Sequence, residues 1–274
     1  MKTKHHLYAV DAAFFNSSGV YDFQTQCEIL KLAGYDGIIH AAWDGRNWNQ
    51  LAHVKSAKED FGIDVSGLYV ILDLSQGVDH PGNRDLLKML ETVEGTSTFT
   101  VAIKTAGGGN HVVCAWLSKA LEVCERRGLE LLLYPHMGFW MDKHQMAIEL
   151  CEKLNHQSLG IVFTGYHWYA LEGDNPRPVL EGIYPWLRMV HLTGSRHSPL
   201  GFGGKATFET LDSGEMDNLA VIGVLKNLGY EGPFGYQGWL EGGNPYNKVK
   251  RSYDALVEMI ELAEQNPHWF RHLG

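Results

Sequence analysis

The sequence predicts a (β/α)8 barrel, and three observations predict it. Strand-like and helix-like segments alternate with a spacing near ~30 residues, as repeated βα units do. The strands are short, mainly apolar runs, such as Leu129–Leu133 and Gly160–Phe163, which suit a sheet buried on both faces. Four runs, at 129–136, 160–167, 188–192 and 232–239, end abruptly in polar side chains: Tyr134 with His136, Thr164 with His167, His191, and Gln237. In a parallel barrel such strand ends converge on one mouth, where chemistry is normally done.

The elements follow in order. Strand one is Leu7–Phe14, and the first helix starts at Phe23, with Cys27, Leu30 and Ala33 on one face and Gly34 as its stop. Strand two is Gly37–Ala41, and a helix over Asn49–Phe61 is closed by Gly62. Strand three is Val65–Leu72, with a helix near Arg84–Val93. Strand four, Phe99–Ile103, leads through Gly107-Gly108-Gly109 into a long helix ending at Gly128. Strand five is Leu129–Tyr134 with helix Lys143–Leu154; strand six is Leu159–Phe163 with a short helix over Pro178–Trp186. Strand seven is Met189–Leu192, the last unit is helix Asn218–Leu228 with strand Phe234–Gln237, and helix Lys248–Ala263 closes the chain. This is one domain over residues 1–274. The long irregular stretch from Thr193 to Asp217 is of the kind that is usually functional or mobile.

Composition narrows the partners. A formal charge of −9 over 274 residues argues against nucleic acid, because phosphate neutralisation needs a basic face. The start of the chain, MKTKHHLYAVDAAFF, lacks a long apolar run and a small-residue cleavage site, so neither a secretory signal nor a membrane span is expected and the cytoplasm is the expected compartment. Cys27, Cys114, Cys124 and Cys151 form no C-x-x-C pair and read as reduced, partly buried thiols. Apolar faces such as Tyr253–Leu262 allow a homo-oligomer.

The strand ends carry the candidate chemistry. A hard divalent metal favours carboxylates, and three of these four positions are neutral and non-carboxylate. His191 reads either as a core histidine or as a site residue; its companions His136 and His167 at comparable strand ends favour the site. His167 suits general acid/base work, since an imidazole titrates near neutral pH. Three imidazoles at 136, 167 and 191 are also a ligand set for a transition metal, although no H-x-H or H-x-x-x-H spacing supports it. Tyr134 is a hydrogen-bond donor or acid, Gln237 suits hydroxyl recognition, and Thr164 is short and neutral. Lys104, at the end of strand four, is a base, an enolate-stabilising cation or a solvated rim lysine. Asp11 lies inside strand one, and His40, Trp43, Asp44 and Arg46 follow strand two. Glu172 and Glu241 are the carboxylates nearest the rim. Phe139, Trp140, Tyr166, Trp168, Tyr169 and Trp239 crowd the mouth, either as stacking faces for sugar rings or as loop packing or a subunit contact. The triple glycine lacks the lysine and serine of a phosphate-binding loop.

Tyr134-Pro135-His136, Thr164-Gly165-Tyr166-His167, Val190-His191-Leu192-Thr193-Gly194, and Gly229-Tyr230-Glu231-Gly232 leading to Tyr236-Gln237 together resemble, in order and spacing, the sugar phosphate isomerase/epimerase family, the xylose-isomerase-like TIM barrels. The family pattern is E-P-H, D-x-G-H, V-H-L-K-D and G-Y-x-G leading to I-E. The resemblance implies a barrel of that type, with the 193–217 loop over its pocket. It also implies a divalent metal held by Glu, Asp, His and Glu. Those positions fall on Tyr134, Thr164, His191 and Gln237, of which only His191 is a ligand type, so the chain reads as a divergent member lacking most of the metal ligands. His167 matches a position that touches metal or substrate. Arg196 and His197 fall near where the family places a basic substrate contact.

The expectation is therefore a barrel acting on a carbohydrate or keto-sugar by metal-independent proton transfer: isomerisation, epimerisation or elimination. The alternative is an inactive barrel that binds sugar or supports a partner. His191, His167, Tyr134 and Lys104 form the expected catalytic set. The expected substrate contacts are Gln237, His136, Trp140, Thr164, Arg196, His197, Glu241 and His40. No cofactor is expected, with the three-histidine metal site as the rival.

Overall fold

A computed structural model describes residues 3–15, 21–43, 48–173 and 175–271. Eight parallel strands close into a barrel: β1 (Leu7–Val10), β2 (Gly37–Ala41), β3 (Asp64–Asp73), β4 (Thr98–Thr105), β5 (Glu130–Leu133), β6 (Leu159–Thr164), β7 (Leu187–Leu192) and, pairing back onto both β7 and β1, β9 (Phe234–Tyr236). Strand β8 (His197–Phe202) lies outside the barrel. Helices α1 (Phe23–Ala33), α2 (Ala57–Phe61), α3 (Pro81–Thr92), α4 (Asn110–Arg127), α5 (His144–Leu154), α6 (Gly165–Leu171), α7 (Pro176–Ile183), α8 (Asn218–Asn227) and α9 (Pro245–Gln265) connect the strands. None of the described helices is long and apolar enough to cross a membrane.

The period-2 alternation of a strand sorts each side chain inward or outward. Inward residues form one cluster that includes Tyr8, Val10, Ile39, Ala41, Tyr69, Ala102, Leu132, Tyr134, Val162 and Met189. Their neighbours in sequence, such as Ile38, Leu68, Val70, Leu133, Ile161 and Val190, join the larger layer beneath the helices. Within the barrel, Tyr8 is fully buried and its hydroxyl donates to the Val190 carbonyl at 2.8 Å. Opposite it stands Gly235, where a Cβ would run into the Tyr8 ring. The aromatic ring and the missing side chain are complementary, and together they set the floor beneath the mouth.

Most expected elements form within a few residues of their predicted ends. Gly34, Gly62 and Gly128 take the left-handed conformation that stops α1, α2 and α4. Four differences bear on function. Strand one stops at Val10, and Asp11–Phe14 turns into a 3-10 helix instead of extending. The expected helix over Asn49–Phe61 is split into a 3-10 stretch, Trp48–His53, and the short α2, which starts afresh after Ser56. Residues after β6 form the unexpected helix α6, in which aromatic residues of modest helix propensity are held helical by burial of Gly165 through Ala170. The stretch after β7 is an ordered arm rather than an irregular loop. It contains β8, and antiparallel bridges join Gly194 to Glu209 and His197 to Ala206.

The Tyr8–Gly235 complementarity is testable. Gly235→Ala should destabilise the fold by about 1–3 kcal/mol, the usual cost of overpacking, read as a lower urea midpoint. An unchanged midpoint would show that the Tyr8 ring can move aside freely.

Candidate active site at the barrel mouth

A cavity of about 220 Å³ opens where the strand ends converge. Its inner part is set by β5, β7 and β9. Tyr134 follows β5 and is tied to β4 by its backbone N–H on the Val101 carbonyl at 2.9 Å. His191 lies in β7, and Gln237 follows β9 with its N–H 2.7 Å from the Leu192 carbonyl. Gln237 Nε2 donates to the Tyr134 hydroxyl at 2.7 Å, bridging opposite sides of the mouth. His136 and His167 join this group: their rings are 4.0 Å apart, and Tyr134 meets the rings of His167 and His191 at 5.6 and 5.4 Å, edge to face.

The walls are aromatic and aliphatic. Trp43 and Trp239 stand 5.4 Å apart with Phe15 edge-on to both, and Trp43 also meets Tyr69 at 5.6 Å. Phe139 stacks on His136 at 4.0 Å. The arm supplies Phe202 and Phe208. It is pinned to α6 by Tyr166, whose ring stacks on Phe208 at 3.7 Å and whose hydroxyl lies 2.9 Å from the carbonyls of both Phe202 and Ala206. The arm thus overhangs the cavity, as the resemblance implied.

Desolvation dominates the electrostatics. Burial lowers His191 to about 3 and His136 to about 4. It also holds His167 well below the ordinary range, with the neighbouring histidines adding to the effect. All three imidazoles are therefore neutral near pH 7. Burial pushes the Tyr134 phenol up, against the contact from Gln237 that works the other way. None of the fourteen described lining residues is an aspartate, glutamate, lysine or arginine. Six buried polar atoms around the cavity have no partner in the protein: Trp43 Nε1, His167 Nε2, both nitrogens of His191, Gln237 Oε1 and Trp239 Nε1.

The mouth brings together His191, His167, Tyr134, Gln237 and His136 from the residues expected there. The others do not line the cavity. Lys104 has the inward parity of Ala102, but its ammonium lies 3.3 Å from Asp73 on a half-exposed rim. Trp140 packs against the outer layer. Thr164 is fully buried and donates to the Pro135 carbonyl at 2.8 Å. Arg196 is exposed and paired with Glu209 at 2.6 Å, and His197 stacks on Tyr169 at 4.4 Å. Glu241, in the β9–α9 loop, turns its carboxylate inward, accepting from the Tyr236 hydroxyl at 2.6 Å, with Lys248 at 3.6 Å. His40 shares the outward parity of Ile38 and meets Asp11 at 2.7 Å and Phe23 under α1, behind the barrel wall. Asp44 and Arg46 lie outside the described residues. Of the six mouth aromatics, Phe139 and Trp239 line the cavity; Trp140, Tyr166, Trp168 and Tyr169 pack elsewhere. The sequence reading did not pick out Tyr69, Ile71, Phe202 or Phe208. Alternation within strand three carried a signal for the first two; the arm residues had none, because their position depends on how the arm folds.

The donor set does not fit the divalent metal that the resemblance implied. Tyr134 and Gln237 are bonded to each other, and the Thr164 hydroxyl is turned to a carbonyl. His191 is left as the one ligand type among the four positions, without a carboxylate to offset a dication's desolvation. A three-histidine site fares no better. Met137 N–H donates to His167 Nδ1 at 3.2 Å, which places the ring proton on the buried, unpartnered Nε2 and leaves no lone pair there. Among the described residues no group of three histidine, cysteine or acidic side chains is arranged to hold a metal.

No curated protein sequence matches the chain. Solved structures do. A xylose isomerase-like TIM barrel/4-hydroxyphenylpyruvate dioxygenase fusion protein superposes with a TM-score of 0.76 at 16% identity over 97% of this chain, which spans 45% of the fusion protein's length. The E. coli 3-keto-D-glucoside 4-epimerase superposes with a TM-score of 0.70 at 17% identity, covering 93% of this chain and 98% of the epimerase. An L-ribulose 3-epimerase does so at 0.72 and 15%, covering 97% and 98%. At these identities the likeness establishes the fold. The family model described as xylose isomerase-like TIM barrel matches residues 108–266, more than half of the sequence. Together with the closed eight-stranded barrel, this match shows that the chain belongs to the xylose isomerase-like TIM barrel family.

Proposed function

We propose that the mouth binds an uncharged carbohydrate or keto-sugar and moves a proton next to its carbonyl without a metal, in an isomerisation, epimerisation or elimination. The observation that carries this reading is the set of six unpartnered buried polar atoms around an open, neutral cavity. A buried donor or acceptor left unpaired costs about 1–3 kcal/mol, so these atoms have to be met by the hydroxyls and carbonyl of a ligand, or by water. The indole N–H groups and His167 Nε2 donate; Gln237 Oε1 accepts; His191 can do either. The apolar wall formed by Tyr69, Ile71, Phe139, Phe202 and Phe208 suits the flat face of a sugar ring. The epimerases among the structural neighbours support the substrate class by analogy of fold.

An uncharged ligand follows from where the cations are. The two basic side chains expected at the site, Lys104 and Arg196, are each paired with a carboxylate outside the cavity. A phosphate or carboxylate in this cavity would lose its hydration without a countercharge. A second reading, a barrel that binds sugar without turning it over, is favoured by the replacement of three metal-ligand positions with neutral residues. The plugged pocket that would mark a silent scaffold is not what the fold presents: Trp140 and Trp168 stand away from the cavity, and the arm walls it without filling it.

Trp43 and Trp239 are built-in reporters. Titration with free ketopentoses and ketohexoses should change tryptophan fluorescence saturably, while their phosphate esters should not; a preference for the esters would refute the uncharged-ligand reading. For a sugar that binds, His191→Ala should abolish turnover with folding unchanged. Undiminished turnover in that variant would remove His191 from the mechanism, and absence of turnover in the unaltered protein would favour the silent barrel.

The buried histidines also set an acid limit. Each takes up a proton near pH 6.5 in the unfolded chain, whereas folding depresses uptake to about 4 for His136 and about 3 for His191 and for His144 at the start of α5. The unfolded state therefore binds more protons throughout this window. Stability should be full above pH ~6.5 and fall toward pH ~4 by about 1.4 kcal/mol per pH unit for each such histidine. Urea midpoints at pH 7.5, 5.5 and 4.5 should fall in that order; a flat series would mean that these imidazoles are hydrated in the folded protein.

A further inference from the structure

Met137 sits between two histidines and makes a hydrogen bond to each through its own backbone. Its N–H points at His167 Nδ1 at 3.2 Å, and its carbonyl oxygen lies 2.9 Å from His136 Nδ1. A peptide N–H can only donate, so His167 Nδ1 is a bare lone pair and the ring's single proton is on Nε2. A peptide carbonyl can only accept, so His136 Nδ1 carries the proton and its Nε2 is bare. One residue's backbone thus sets two adjacent imidazoles in opposite tautomers. Their rings are 4.0 Å apart and both line the cavity. Phe139, stacked on His136 at 4.0 Å with an interplanar angle of 22°, and Tyr134, edge-on to His167, hold the ring planes.

We infer that His136 and His167 are a divided acid/base pair, with His136 Nε2 taking the substrate proton, His167 Nε2–H stabilising the oxygen that becomes negative, and Met137 as the positioning residue for both. This rests on the proposed proton-transfer reading of the site and changes the expected division of labour, in which His136 was a substrate contact. In the first half of the reaction the proton next to the carbonyl passes to His136 Nε2. The C–H electron pair becomes the new C=C bond, and the carbonyl π pair moves onto oxygen. The resulting enolate oxygen accepts a hydrogen bond from His167, which keeps its proton. In the second half the hydroxyl proton on the neighbouring carbon crosses to the enolate oxygen, the carbonyl re-forms on that neighbouring carbon, His136 delivers its proton to the former carbonyl carbon, and both rings end as they began, which completes an isomerisation. No oxidant, reductant or co-reactant is consumed. A neutral imidazole is a competent donor to a developing enolate, as in the triosephosphate isomerase precedent, and burial keeps both rings neutral near pH 7. His191 differs: neither of its nitrogens has a protein partner, so nothing in the protein selects its tautomer.

The direct test is long-range proton–nitrogen correlation NMR on the full-length ¹⁵N-labelled protein at pH 7. The two ring systems are assigned by their loss in His136→Gln and His167→Gln, each checked for folding by circular dichroism; if either variant fails to fold, selective histidine labelling with the other variant makes the assignment by elimination. His136 should be protonated on Nδ1 and His167 on Nε2. The same tautomer in both rings, or the two reversed, overturns the inference. A second readout separates it from the proposed function. For a ketose that alters the tryptophan fluorescence, the unaltered protein should exchange the proton next to the carbonyl with D₂O, and His136→Gln should still bind but exchange about 10²–10⁴-fold more slowly, the usual contribution of a positioned base. Exchange retained in that variant overturns the pair alone. A bound sugar that never exchanges in the unaltered protein overturns the proton-transfer reading and the pair with it.

Discussion

The hydrogen bond from Gln237 Nε2 to the Tyr134 hydroxyl, 2.7 Å long, organises the mouth. It joins the end of β9 to the end of β5 across the barrel using two neutral groups. A pair of carboxylates in those places would repel each other and require a cation between them. An amide and a phenol satisfy one another directly, so the space around them can be dry and aromatic. The lowered pKa of the three nearby histidines follows from their burial among these groups, which disfavours the imidazolium in each case. The character of the site is thus set by exclusion of charge rather than by balancing of charge.

Several charged groups around the barrel are matched outside the cavity. Asp73 meets Lys104 on the rim, and Glu209 gathers Arg196, Thr207 and Ser213 on the arm, which holds its carboxyl down to about 2. Glu241 is buried with Tyr236 and Lys248, and Lys248 also donates to the Ala13 carbonyl. That last cluster ties the loop carrying Trp239 to α9 and to the turn after β1. The arm and this loop are consequently fixed by their own polar networks, and the rings they place over the cavity, Phe202, Phe208 and Trp239, make no side-chain hydrogen bond to the protein. Function and scaffold use separate sets of side chains.

Much of this was legible in the sequence, and the limit has a physical origin. Eight apolar runs and their glycine stops located the strands and most helices, because burial on both sheet faces demands unbroken apolar residues. The polar terminations at Tyr134, His136, His167, His191 and Gln237 picked out five cavity residues for the same reason: a polar group at the end of such a run has to face the mouth or solvent. Thr164 met the same criterion and turned to the Pro135 carbonyl instead, since a short hydroxyl finds a backbone partner more readily than it spans a cavity. His40 was placed at the mouth, yet the pleat directs it behind the wall to Asp11. Lys104 and Arg196 found carboxylates 31 residues upstream and 13 residues downstream, partners that no local pattern announces.

By itself the sequence determined the barrel, the order of its strands around one mouth and the uncharged polar residue types at the ends of those strands. These are consequences of periodicity and of residue chemistry, which are local properties. Tertiary structure alone decided that the arm after β7 would wall the cavity, that charges would be matched outside it, and that one backbone residue, Met137, would assign opposite tautomers to His136 and His167. Those outcomes depend on distances between segments far apart in the chain and on which lone pair faces which N–H. Only the closed barrel sets such relations, because its geometry brings the ends of all eight strands within reach of one another.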